Sequence, residues 1–272
     1  MTIRLPEWAG YLLAAALLVF SGYPFVFMAA TSLKTQQQFF ASPFSLLSDM
    51  RLDNYGLALR TGIGRYFLNT LLITSASLVV IVLLSALASY PLSRMRLRYG
   101  RLLLLLFVSG MMLPIHSTLI PVFRLTRDMG LYDSLWGLLG PYVAFSLPVS
   151  IFILTGFMSE LPRELDEAAE IDGCSHAAIF FRITFPLILP ALSTIVIYNF
   201  VHIWNEFIFS LVLITSPEHM TLPLGMQKFF GDFTVNVPAL MAALTLSSLP
   251  MLLIYIAAQE KIVKGLVVGA VK

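Results

Sequence analysis

One ionisable residue, Glu206, lies inside a long apolar run, within the string Trp204-Asn205-Glu206-Phe207. A carboxylate at membrane depth is costly and normally faces a cavity or a partner chain. Either Asn205 and Glu206 line a path or meet a second membrane subunit, or Glu206 sits near the end of its run and is hydrated. The sequence leaves both open. A second group is far denser in charge. Between Leu161 and Pro186 the chain reads LPRELDEAAEIDGCSHAAIFFRITFP and holds five of the fifteen acidic residues, with Glu160 just before it. Other chemistry is thinly represented. His116 and His202 stand alone, without the spacing of paired metal ligands. Cys174 is the one cysteine, so no intrachain disulfide can form. The phosphate-cradling pattern G-x-x-x-x-G-K-[ST] does not occur, and no motif sets serine, histidine and acid in a proteolytic order. The sequence therefore nominates no catalytic residue and no metal site, and the chain is read as a non-enzyme.

The acidic segment has the signature of a short helical unit. Pro162 suits a first helical turn, where its missing N–H costs nothing. Glu164, Asp166 and Glu167 follow, where the helix dipole favours negative charge. Leu165, Ala168, Ala169 and Asp172 share a narrow face with small side chains. Gly173 can end the helix by taking a positive φ. Ser175 can cap a second short helix over 176–181, and Pro186 closes the unit. Small alanines let another surface come close, and the carboxylates offer partners for basic groups. An ordinary solvated loop helix fits the same residues.

The elements around these groups must be membrane helices. The chain is 58% hydrophobic and 12% charged over 272 residues, with mean hydropathy +0.86. Soluble domains carry about 25% charged residues. Six windows of about 20 apolar residues fall near 10–32, 66–90, 102–123, 137–158, 187–212 and 238–259. Only the fifth contains a charge. Runs without period-2 alternation in lipid imply helices rather than a barrel. The uncharged stretch from Trp8 to Leu33 is longer than a cleavable signal core, so it reads as a retained first span. Pro114 and Pro121 suggest a kink in the third. The fold expected is all-α and integral to the membrane, with six transmembrane helices. Residues 1–65 form the first span and first loop, and 66–272 a five-span core. That core carries the acidic loop, 159–186, between helices 4 and 5. Six spans put both termini on one side. Ser93–Arg101 carries four arginines, and Lys261, Lys264 and Lys272 lie in the tail. By the positive-inside rule both termini, this basic loop and the acidic loop are expected in the cytoplasm. Net charge is +2, so nothing points to nucleic acid.

The acidic segment also carries a resemblance. Glu167-Ala168-Ala169, three residues, Gly173, nine residues, Ile183 and then Pro186 resembles the EAA signature of binding-protein-dependent ABC importer permeases. The usual ending Ile-x-Leu-Pro here reads Ile183-Thr184-Phe185-Pro186, keeping an apolar residue at the changed place. Asn69-Thr70, Trp204-Asn205-Glu206-Phe207 and Thr221-Leu222-Pro223-Leu224 are similar to segments of the maltose-type carbohydrate uptake branch. So are Gln259–Leu266 and Gly269–Lys272 in the tail. The likeness covers the chain from about residue 65 to its end. It implies an inner-membrane permease subunit of an ATP-driven sugar or oligosaccharide importer, forming half of a translocation path. The implied partners are a second permease subunit, two cytoplasmic ATPase subunits that hold ATP and magnesium, and an extracytoplasmic solute-binding protein. Glu167, Ala168, Ala169, Asp172, Gly173, Ile183 and Pro186 would then form the coupling helix that docks on the ATPase, with the tail touching it too. Asn69, Trp204, Asn205 and Glu206 are the candidates for the path or for contact with the second permease, since an indole and an amide suit sugar faces and hydroxyls. A self-contained secondary transporter is the alternative. It would call for several intramembrane carboxylates and an inverted repeat.

Overall fold

The computed structural model describes residues 7–45, 50–95, 97–229 and 236–270, with side chains described as far as Ile256. The tail motif from Gln259 and the lysines at 261, 264 and 272 therefore lie outside the described side chains. Among the described residues all regular structure is helical. The helices are α1 (Glu7–Ser32), α2 (Gln36–Ala41), α3 (Asp53–Arg60), α4 (Ile63–Arg94), α5 (Gly100–Ser109), α6 (Ile115–Asp128) and α7 (Leu139–Glu160). They continue with α8 (Glu164–Ile171), α9 (His176–Ile179), α10 (Phe185–Leu187), α11 (Leu189–Trp204), α12 (Ile208–Leu213), α13 (Leu222–Gly225) and α14 (Val237–Ala270). With no water to satisfy backbone groups in lipid, helices close their own hydrogen bonds.

Among the described residues four helices are long and apolar enough to cross a membrane, and up to six spans result if each of two bent pairs counts as one. The bent pairs correspond to the third and fifth windows. The third is broken rather than kinked: Gly100–Met112 and Ile115–Asp128 meet at 98° across Leu113-Pro114. Pro114 has no N–H to continue the ladder and restricts Leu113 to an extended backbone, which it adopts at φ −72°, ψ 118°. The fifth is not one continuous helix either. His176–Leu187 and Leu189–Trp204 meet at 71° around Ile188, which Pro186 and Pro190 flank. The chain then leaves the helix again at Asn205–Phe207 before α12.

The chain divides into two compact units. One combines the residues up to Arg65 with Gly225–Pro250. In it Thr35 and Gln38 cap α2 reciprocally, at 3.2 and 2.8 Å. Asn54 Nδ2 donates to the carbonyls of Ser32 and Lys34, fixing the turn after α1. The other unit, Tyr66–Leu224 with Met251–Lys272, holds both apolar cores. The first core joins Ala86 and Tyr90 of α4, Leu154 and Met158 of α7, Ala169 of α8, and Ile188, Leu192 and Ile195 near the start of α11. The second joins Ile73 and Ile81 of α4, Tyr142 and Val143 of α7, Ile203, and Phe209 and Leu213 of α12. Helices α4 and α7 run in the same direction between these cores. Both begin at the second and finish at the first.

Candidate functional site: the acidic loop and the broken fifth span

The acidic loop sits where α4 and α7 end. Helix α8 begins at Glu164, with Arg163 at its N-cap, so Pro162 precedes the helix rather than filling its first turn. Glu164, Asp166 and Glu167 occupy that turn. Asp172 is the C-cap and Gly173 follows at φ +76°. The Cys174 N–H donates to the Ala169 carbonyl at 2.9 Å and the Gly173 N–H to Glu170 at 3.0 Å. These two bonds are the Schellman closure, which needs a residue at ease with positive φ. Ser175 Oγ accepts from the Ala178 N–H at 3.3 Å and starts α9. The second helix does not stop at Phe181. It widens into a π turn over Phe180–Thr184 and runs on through α10, so Pro186 lies within the helical path, two residues before the 71° bend.

One edge of α8 is buried and most of the rest is exposed. Ala169 is buried in the first core with Cys174, Ile183 and Phe185 packed alongside. Tyr90 and Phe180 meet edge to face at 5.2 Å. Glu167, Ala168 and Asp172 are exposed, and Ile171 is 87% exposed. Of the face Leu165, Ala168, Ala169 and Asp172, only Ala169 is buried. The result is an anionic helix with an uncovered apolar residue at its end and Ala169 as its buried apolar contact.

Arg94 supplies the second anchor. It is the last residue of α4, and its side chain is 3% exposed. Nε donates to Asp166 Oδ2 at 2.7 Å. One terminal nitrogen donates to the carbonyls of Met158 and Leu161, at 3.2 and 2.7 Å. The other donates to Pro162 O at 2.8 Å. The last carbonyls of a helix lack partners of their own and carry negative partial charge. A guanidinium answers both needs with a rigid fork.

The opposite end of α4 and α7 holds the path candidates. Trp204 is buried, stacked on Phe200 at 5.2 Å and edge-on to Phe67 at 5.4 Å. Asn205 is exposed and turns back to the Val201 carbonyl at 2.8 Å. Glu206 is half-buried. Its Oε1 accepts from the Phe209 N–H at 2.8 Å, and its Oε2 from the Tyr142 hydroxyl at 2.9 Å and the Ser210 N–H at 3.4 Å. It thus serves the first turn of α12 as an N-terminal cap, where a carboxylate meets unpaired N–H groups and the positive end of the dipole. Ser210 continues the network to Tyr142 and Thr221, at 3.1 and 3.0 Å.

Two strings noted separately in the sequence meet here. Asn69 Nδ2 donates to the carbonyls of Glu218 and Met220, at 2.8 and 2.9 Å. Thr70 Oγ1 accepts from the Leu222 N–H at 2.7 Å. Asn69-Thr70 thus holds the segment that opens Thr221-Leu222-Pro223-Leu224. Asp133, at φ 54°, secures the residues just before that segment. Its Oδ1 accepts from the N–H groups of Thr215 and Ser216, both at 2.8 Å, and its Oδ2 from the Ser216 hydroxyl. Burial pushes the Asp133 carboxyl up. The hydrogen bonds from Ser216 and Thr215, with His219 nearby, outweigh that and hold it below the usual carboxylate value.

Residues 167–186 thus gather at one end of the unit, and Asn69, Trp204, Asn205 and Glu206 at the other. Sequence reasoning missed Arg94, Asp133 and Tyr142. Arg94 stood among four arginines counted only for their charge. No group of three or more potential metal ligands occurs among the described residues.

The family described as "binding-protein-dependent transport system inner membrane component" matches residues 81–268. A putative ABC transporter permease protein of Caldicellulosiruptor sp. is 45% identical over 98% of this chain and 97% of its own length. The melibiose/raffinose/stachyose import permease protein MelC of Bacillus subtilis is 33% identical over 96% and 95%. Among solved structures, a bacterial ABC transporter involved in the import of the acidic polysaccharide alginate superposes with TM-score 0.82. It covers 93% of this chain and 95% of its own at 22% identity, a likeness of fold.

Proposed function

The chain belongs to the family of binding-protein-dependent transport system inner membrane components, and from that premise we propose that it is one permease of an ATP-driven carbohydrate importer. In this reading it pairs with a second permease to enclose the path. Two separate ATPase subunits hold ATP and magnesium, and an extracytoplasmic binding protein delivers the solute. The carbohydrate class rests on the relatives, among them the Bacillus permease named for melibiose, raffinose and stachyose. Both termini and the acidic loop face the cytoplasm. The coupling residues are Glu167, Ala168, Ala169, Asp172, Gly173, Ile183 and Pro186.

The observation that carries the proposal is α8 itself. Its acidic face and Ile171 are exposed while Ala169 and Asp166 tie it to the ends of α4 and α7. A helix held on one side and bare on the other can receive a partner and pass on its displacement. A secondary transporter would instead need carboxylates free to bind a coupling ion in the spans. Glu206 is engaged in capping α12.

The test is reconstitution in liposomes with the second permease, the ATPase and the binding protein. Glu167→Lys reverses charge on the exposed face. Gly173→Pro forbids φ +76° and removes the bond to Glu170. Both variants are expected to insert, to transport less, and to hydrolyse ATP without matching uptake. Uptake per ATP equal to wild type in both variants would sink the proposal.

A further inference from the structure

The structure assigns to the Arg94–Asp166 pair the role of a positioning link, which makes the coupling helix move as one body with α4 and α7. The inference deepens the coupling role proposed above for α8 and rests on it.

Four of the five N–H donors of the Arg94 guanidinium are engaged. One reaches α8 through Asp166, and three reach the carbonyls of Met158, Leu161 and Pro162 at and just beyond the end of α7. The side chain springs from the final residue of α4. A single planar group therefore joins three elements, and both charged partners are shielded, at 3% and 15% side-chain exposure. A buried ion pair is poor evidence for stability, and in some proteins such a pair serves to fix one arrangement. The aromatic contact of Tyr90 with Phe180 and the burial of Ala169 add apolar area to the same joint.

The exit from α8 is built differently. After it come the positive-φ glycine, the π turn over Phe180–Thr184 and the 71° bend at Ile188. π turns and glycine joints are common at functional sites and hinges. A push on α8 is thus passed stiffly to α4 and α7, and α11 follows through an articulated segment.

The experiment uses the reconstituted importer with Arg94→Met, Arg94→Lys and Asp166→Asn, scoring assembly, ATPase rate and solute carried per ATP. The expected result is complexes that assemble and hydrolyse ATP while uptake per ATP falls at least about five-fold in Arg94→Met, the lower edge of ordinary coupling energies. Arg94→Lys, which keeps charge but loses the fork, recovers part of the ratio, and Asp166→Asn falls between. A wild-type ratio in Arg94→Met overturns the inference. So does a wild-type ratio in Asp166→Asn if Arg94→Met fails to assemble. Failure of all three to assemble also overturns it, since the pair is then a folding determinant. If the wild-type chain shows no ATP-dependent uptake with its partners, the importer reading fails instead, and the two failures remain distinct.

Discussion

Asp133 carries a measurable consequence on one carboxylate. Its folded value is depressed because the charged form accepts hydrogen bonds from Thr215 and Ser216. The unfolded chain binds a proton at about pH 4, and the folded chain only at lower pH. The stabilisation is therefore fully present above the unfolded value and fades as pH falls through the folded one. Asp133→Asn keeps the tolerance for positive φ and one accepting oxygen but loses the charge. Thermal unfolding of the solubilised complex should show wild type above the variant at pH 6–7, and the two converging below about pH 4. A gap that persists unchanged in acid would mean that the charge contributes nothing. Arg94 is the counterpart at the other end. Removing one member of a buried pair typically costs about 3–5 kcal/mol, which is why its test also includes lysine at 94 and asparagine at 166.

The elements divide by how local their causes are. The end of α8 at Gly173 and the start of α9 at Ser175 were readable, because positive φ and side-chain capping act within a few residues. Of the span breaks only the one at Pro114 was foreshadowed, as a kink in the third span rather than a full break. A hydropathy window averages over about twenty residues and sees one apolar run where Leu113-Pro114 and Ile188 bend the chain and Asn205–Phe207 interrupts the helix. Glu206 was visible as an oddity, but its work as a cap on α12 became legible only with the break in place. Arg94 and Asp166 lie 72 residues apart, and no local pattern pairs them. The same holds for Asn69 and the 218–222 segment. An element-scale prediction follows from the cap. Glu206→Ala strips acceptors from the Phe209 and Ser210 N–H groups and should cost about 1–2 kcal/mol. Glu206→Gln should lose less. Equal thermal midpoints for wild type and the alanine variant would show that the break holds itself.

At the scale of the molecule, the proposed orientation can be checked with two labels. Glu167→Cys and Glu218→Cys, each in a Cys174→Ala background, place thiols on exposed residues at opposite ends of the α4–α7 pair. A membrane-impermeant maleimide should reach the first only from the cytoplasmic side and the second only from outside. Labelling of both from one side would refute six crossings in this arrangement. Helix α4 is a single helix of 32 residues, so Asn69 and Arg94 stand about 37 Å apart along it at 1.5 Å per residue. Asn69 holds the backbone of Glu218 and Met220, and Arg94 holds Asp166. The helix is a lever with a load tied to each end. A tilt of about 10° pivoting at Arg94 would sweep Asn69, and the loop hung on it, through about 6 Å.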